Sequence, residues 1–144
     1  MKAQSYKHHS RYVPLFHFVT SSILILCLAG SSWNLVKAYQ HHSGRLVAAI
    51  IFGLSYGSLI ILWYAREFAV GAQDRAILAQ ENLRHFALTG KLLDKRLRKS
   101  QIIALRFADD TEFLILAEKA ANEKMKSDDI KKAIVNWRAD HHRI

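Results

Sequence analysis

The chain has no acidic residue among its first 66 positions, although it holds 12 in all, and its 144 residues include one cysteine and one proline. Each scarcity excludes something. A lone Cys27 can neither close an internal disulfide nor complete a zinc set, and within an apolar stretch it reads as a small filler. With Pro14 as the single proline, no later helix is interrupted by one. A phosphate-binding glycine loop, a dinucleotide fingerprint, paired cysteines and a His-Glu-x-x-His are all missing. Acidic pairs suited to a proton relay are absent from both long apolar stretches, which weakens any reading as a self-sufficient transporter.

Those two stretches carry the class of the protein. Residues 12–36 and 46–65 contain no Asp, Glu, Lys or Arg. A bilayer core of roughly 30 Å takes about 20 helical residues at about 1.5 Å each, so either stretch is long enough to cross. Both are expected to be transmembrane helices, and the short linker 37–45 makes them a tight antiparallel hairpin. A signal peptide is the rival reading of the first, with Ala29-Gly30-Ser31-Ser32 as a cleavage region. The apolar run exceeds the usual h-region of roughly 7–15 residues, and the second stretch follows at once.

The formal charge of +9 divides into +3 before the first stretch, +2 in the linker and +4 after the second. Cytoplasmic flanks carry the excess of Lys and Arg. Lys2, Lys7 and Arg11 act together with Arg66, Arg75 and Arg84 against Lys37 and Arg45, so both termini are expected in the cytoplasm. Tyr12, Phe16 and Phe18 pair in depth with Trp63, Tyr64 and Phe68 as one aromatic belt, and Trp33 and Tyr39 mark the other.

Beyond the second stretch, Ala69, Ala72, Ala76, Ala79, Leu83 and Phe86 recur at alternating steps of three and four. Glu67, Asp74 and Glu81 lie seven apart on the opposite side, a heptad pattern. The second helix is therefore expected to run unbroken over residues 46–89, about 66 Å, its part beyond the bilayer forming a stalk that ends at a Gly90 cap. The alanine seam is its expected packing face. Ser100 is the expected N-cap of an apolar segment 101–107, Asp109 and Glu112 form a capping pair before a helix that buries Phe113, Leu116, Ala117 and Ala120, and Ser127-Asp128-Asp129 opens a last helix. Its Ile130, Ala133, Ile134 and Trp137 recur at i, i+3, i+4 and i+7.

The expected fold is thus all-α: a transmembrane helical hairpin whose second helix extends as a cytoplasmic stalk, followed by a small C-terminal helical bundle. Its parts are a polar segment 1–11, helix 12–36, external loop 37–45, helix 46–66, stalk 67–90, basic linker 91–99 and domain 100–144.

Several motifs suggest chemistry and fail on context. Gly53-Leu-Ser-Tyr-Gly57 matches the nucleophile elbow, which requires a strand, a strained turn and a helix around its serine. Inside a membrane helix, the glycines matter more than Ser55. Ala49, Gly53 and Gly57 form a smooth groove for a close helix, either helix one through Ser22, Ala29 and Gly30 or a second subunit. The histidine pairs His8-His9, His41-His42 and His141-His142 fall on two sides of the bilayer and cannot share a site. His17 is the one histidine within a span, too near the boundary, and without a counterpart in helix two, to bridge a haem. The cluster Lys91, Lys95, Arg96, Arg98 and Lys99 reads as a solvated surface, with Asp94 and Arg98 paired at i, i+4. It lacks the interleaved aromatics of a nucleic-acid site.

The segments His9-Ser-Arg-Tyr-Val-Pro14, Gln73-Asp-Arg-Ala-Ile77, Glu81-Asn-Leu-Arg84, Gln101-Ile-Ile-Ala-Leu-Arg-Phe-Ala108, Ile130-Lys-Lys-Ala-Ile134 and Trp137-Arg-Ala-Asp140 resemble a family of small, uncharacterised bacterial inner-membrane proteins classed as a domain of unknown function. The resemblance covers nearly the whole chain. It implies a bacterial origin and a two-span topology, and it implies no reaction.

The expected function is that of a non-enzymatic anchor, docking or accessory subunit in the bacterial cytoplasmic membrane, acting through helix packing. Membrane lipid and either further copies of itself or another membrane protein are the expected partners. No cofactor, metal, small-molecule substrate or nucleic acid is expected. An accessory component of a transporter or channel is the second reading, to be judged by whether His17, Ser55 and Tyr56 face a common lumen. A membrane-tethered nucleic-acid binder is the third.

Overall fold

A computed structural model describes residue 6 and residues 12–140. Among these residues the protein is all-α: a π-helical turn Leu15–Thr20 leads into α1 (Ser21–Gln40), then α2 (Arg45–Thr89), α3 (Lys99–Leu105), α4 (Asp110–Glu123) and α5 (Ser127–Ala133). The described residues form two compact units, residues 12–69 and residues 70–140.

In the first unit two helices are long and apolar enough to cross a membrane. Only 6% of either apolar window is buried, unlike the core helix of a soluble protein. Exposed Ile23, Leu26, Val47, Leu54 and Ile61 cover their outer faces. Each helix has a narrow shielded stripe: Leu24, Leu28, Ser31 and Leu35 of α1, and Ala48, Phe52, Ser55, Leu59 and Leu62 of α2, are less exposed than their neighbours. Ser31 and Ala48 are buried, small residues that admit close backbones. The reversal between α1 and α2 is made by His42 and Gly44, with φ of 52° and 66°.

Helix α2 runs for 45 residues because no proline or internal cap breaks it. It stops at Thr89, where Gly90 adopts φ of 73° and returns its N–H to the Phe86 carbonyl at 2.7 Å, closing the last turn.

The second unit has one core, in which Leu105, Phe107, Phe113 and Ile130 are the largest fully buried side chains. Burying a side chain of this size contributes roughly 1.5–3 kcal/mol. Asp109 caps α4 by accepting the Glu112 N–H at 2.9 Å, and the helix buries Phe113, Leu116, Ala117 and Ala120, with Ala121 besides. Two expectations are corrected. Ser100 is not the N-cap of α3, which begins one residue earlier; the Gln101 side chain accepts the Arg98 N–H at 2.6 Å and fixes the start there. The last helix ends at Ala133 and does not reach Trp137. Glu112 takes the Val135 and Asn136 N–H groups at 3.0 and 3.1 Å, and the Arg138 N–H goes to the Phe107 carbonyl at 2.7 Å, so the chain is pulled out straight. Trp137 still reaches the core, its ring 5.0 Å from that of Phe107, from an extended strand-like segment that bridges to Ala108.

Buried Gln101 ties the unit together. Its amide donates to the carbonyls of Ala120 at 3.3 Å and Met125 at 2.8 Å, so the start of α3 is pinned to the end of α4.

Candidate functional site

Residues 70–89 of α2 present two contrasting sides, and the C-terminal helices cover the acidic one. The heptad pattern sets Asp74 and Glu81 apart from the alanine seam, and these are the residues brought under cover. Arg84 is the centre of the joint. Its Nη1 donates to Glu81 Oε2 at 3.1 Å and its Nε to Asp110 Oδ1 at 2.7 Å, and Nη2 reaches the Ala108 carbonyl at 2.9 Å. The guanidinium also lies 4.3 Å over the Phe113 ring. The side chains of Arg84 and Glu81 are 10% and 8% exposed, so this is a buried pair with its donors spread over three elements.

Lys99 pairs with Asp74 at 2.8 Å, the Asn82 side chain accepts the Leu93 N–H, and His85 packs edge-on to Phe113. Beside this joint a polar cleft of about 540 Å³ is lined by Gln73, Gln80, Arg84, Arg106, Arg138 and Asp140 among others. Arg106 is buried there, held by Asp140 at 3.2 Å and stacked over Phe107 at 4.5 Å. The guanidinium groups nearest the α2 side chains are thus spent on holding the fold.

The seam behaves differently. Ala72, Ala76, Ala79, Leu83 and Phe86 are all exposed, with Leu83 at 66% and Phe86 at 50%, and Ala69 is half-buried. The folded chain leaves this face uncovered. In the groove of Ala49, Gly53 and Gly57 the first two are exposed and Gly57 is half-buried, and a methyl group added at either glycine would touch nothing within 4 Å. Ser22, Ala29 and Gly30 of α1 are also exposed, so helix one does not fill the groove through them.

The chemical motifs resolve into structural roles. Ser55 sits in continuous helix and donates to the Ile51 carbonyl at 2.9 Å, with no strained turn to raise it as a nucleophile. Tyr56 is exposed, Ser55 lies on the same partly buried stripe as Leu59 and Leu62, and His17 lines a cleft together with those two leucines. No group of three or more His, Cys, Asp or Glu able to hold a metal occurs among the described residues. His8, His9, His141 and His142 lie outside them.

The i, i+4 pair of Asp94 and Arg98 does not form, because residues 91–94 and 98 are not helical. Asp94 turns to Arg96, which donates to its carboxylate at 2.7 Å and to Asn122 at 3.1 Å. Those hydrogen bonds hold the Asp94 carboxyl down at about 2 and raise the Arg96 guanidinium. The Glu112 and Thr111 bonds lower Asp109 in the same way. Nothing in the sequence placed Asp110 or Ala108 against Arg84; the Glu81–Arg84 spacing of three was the one available signal.

The full length, residues 1–144, matches the model of a family of unknown function (DUF6526). The chain belongs to this family. No curated protein and no solved structure matches it.

Proposed function

We propose that this member of DUF6526 is a two-span protein of the bacterial cytoplasmic membrane, with both termini in the cytoplasm, that acts without catalysis as an anchor and docking subunit. The supporting observation is the division of labour on α2. Its charged side is consumed by the chain's own C-terminal helices, while its apolar seam and the Ala49–Gly53–Gly57 groove stay open. In lipid, helices associate through close packing of small residues, which is what that groove offers to a second copy or another membrane helix. The basic excess of the flanks over the linker supports the orientation.

Crosslinking in native membranes tests the reading: a discrete oligomer or a stoichiometric partner is expected, and a solitary monomer would count against it. Gly57→Leu, which places a bulky side chain in the open groove, should reduce the crosslinked species by about tenfold, equivalent to roughly 1.4 kcal/mol.

A further inference from the structure

A cleft of about 280 Å³ opens in the apolar unit between the π-helical turn with the first residue of α1 and residues 59–67 of α2. Its walls change character along their length. Phe16, Leu59, Leu62 and Trp63 form an apolar part, and Arg66 and Glu67, the first charged residues after the uncharged run 46–65, line the polar end. Neither of these two charges has an ion-pair partner among the described residues.

The π-helical turn shapes the α1 side. In this wider turn the Thr20 and Ser21 hydroxyls donate to carbonyls five residues back, Leu15 at 3.0 Å and Phe16 at 3.2 Å; such turns recur where a helix is adapted to a site. His17 is fixed on this wall by its Nδ1, 3.1 Å from the Val13 N–H, and by edge-on packing against the Tyr12 and Phe16 rings. The wall is therefore preformed.

We propose that this cleft binds a phospholipid whose head carries both a phosphate and a primary ammonium. Arg66 takes the phosphate, Glu67 takes the ammonium, and the first acyl carbons lie along Phe16, Leu59 and Leu62. The charges select the head. A purely anionic head would satisfy Arg66 and be repelled by Glu67, whereas a trimethylated ammonium could not give Glu67 the charge-assisted hydrogen bonds that a primary one supplies. The cleft lies at the small end of ligand sites, which run from about 300 to 1,000 Å³, so it takes a head group and leaves the tails to the surrounding lipid.

The proposal rests on the two-span reading. The full-length protein is purified in mild detergent and exposed to equimolar phosphatidylethanolamine, phosphatidylcholine and phosphatidylglycerol, and retained lipid is measured by native mass spectrometry. Phosphatidylethanolamine should be retained about tenfold over the other two, the ratio expected when one charge-assisted hydrogen-bonded contact is lost. Glu67→Gln should abolish the preference over phosphatidylcholine, Arg66→Gln should weaken retention of all three, and Arg66→Lys should restore part of it. Equal retention, a preference for phosphatidylglycerol or phosphatidylcholine, or an unchanged preference in Glu67→Gln overturns the proposal. Resistance to extraction from membranes by alkaline carbonate is measured in parallel. A protein that is washed off overturns the two-span reading itself, whereas one that stays but does not discriminate overturns only the lipid site.

Discussion

Replacing Arg84 by methionine keeps an unbranched apolar stem and removes the guanidinium with its charge, its donors and its stacking on Phe113, so the outcome measures the joint between α2 and the C-terminal helices. Glu81, 8% exposed at its side chain, would be left as an uncompensated buried carboxylate. Breaking such a pair by removing one partner costs roughly 3–5 kcal/mol. The buried Ala108 carbonyl loses a donor as well, a cost of about 1–3 kcal/mol taken alone. These losses share one side chain and do not add, so the expected total stays near 3–5 kcal/mol. Asp110 is 65% exposed, and its own replacement by Asn should cost at most about 1 kcal/mol. Changing Glu81 to Gln together with Arg84→Met removes the stranded charge and should recover about half or more of the loss. The assay is amide hydrogen exchange across α3 and α4 with the full-length protein in mild detergent, which reports this unit separately from the apolar helices. An Arg84→Met cost below about 1 kcal/mol, or an Asp110→Asn cost equal to it, would refute the assignment of the joint to a buried pair.

Further outcomes follow from individual residues. Lys124 ends α4 in the left-handed region at φ of 52°, where an L side chain is penalised, so Lys124→Gly should stabilise the unit by about 0.5–1 kcal/mol in thermal unfolding. Gly90→Ala, at φ of 73° with open space around its Cβ, should cost about 1–2 kcal/mol by the same reasoning with the sign reversed. Asp94 and Asp109 both have carboxyl groups held below their ordinary value of 3.8, and Asp94 lies near 2. Depressed carboxyls contribute stability that is present above the ordinary value and lost as pH falls through the folded one. The unfolding midpoint should therefore drop between about pH 4 and pH 2, and Asp94→Asn should flatten that limb. Both groups are solvent-exposed, so added salt should shrink the effect, and a salt-independent limb would contradict it.

Much of this architecture could be read from residues alone because it depends on local signals. The two uncharged runs mark the long apolar helices, the Asp109–Glu112 spacing marks the start of α4, and the position of Gly90 marks the end of α2. What was missed depends on partners distant in the chain. The periodicity of residues 69–86 identifies two sides of α2 without saying which one the C-terminal helices cover. Arg84 decided it, through Asp110 and Ala108, 26 and 24 residues away. The i, i+3, i+4, i+7 pattern through Trp137 is likewise real as a burial pattern and wrong as a helix. Glu112 captures the backbone N–H groups of Val135 and Asn136, and an extended chain delivers the indole to Phe107 equally well.

The division of α2 into a consumed side and an open side makes the proposed role separable from stability. A soluble domain ordinarily buries its large apolar groups and leaves its charges in water. Here Glu81 is buried and the Arg84 side chain is only 10% exposed, and Leu83 and Phe86, within two residues of them, are exposed. A face that folding leaves open can be altered with little effect on the fold, since surface substitutions usually stay within about 0.5 kcal/mol. Leu83→Ser and Gly57→Leu should consequently leave hydrogen exchange in α3 and α4 unchanged while lowering the crosslinked species, and Arg84→Met should do the reverse. If Leu83→Ser instead loosened the C-terminal helices as strongly as Arg84→Met, the seam would belong to the chain's own packing, and the docking role would lose the observation that supports it.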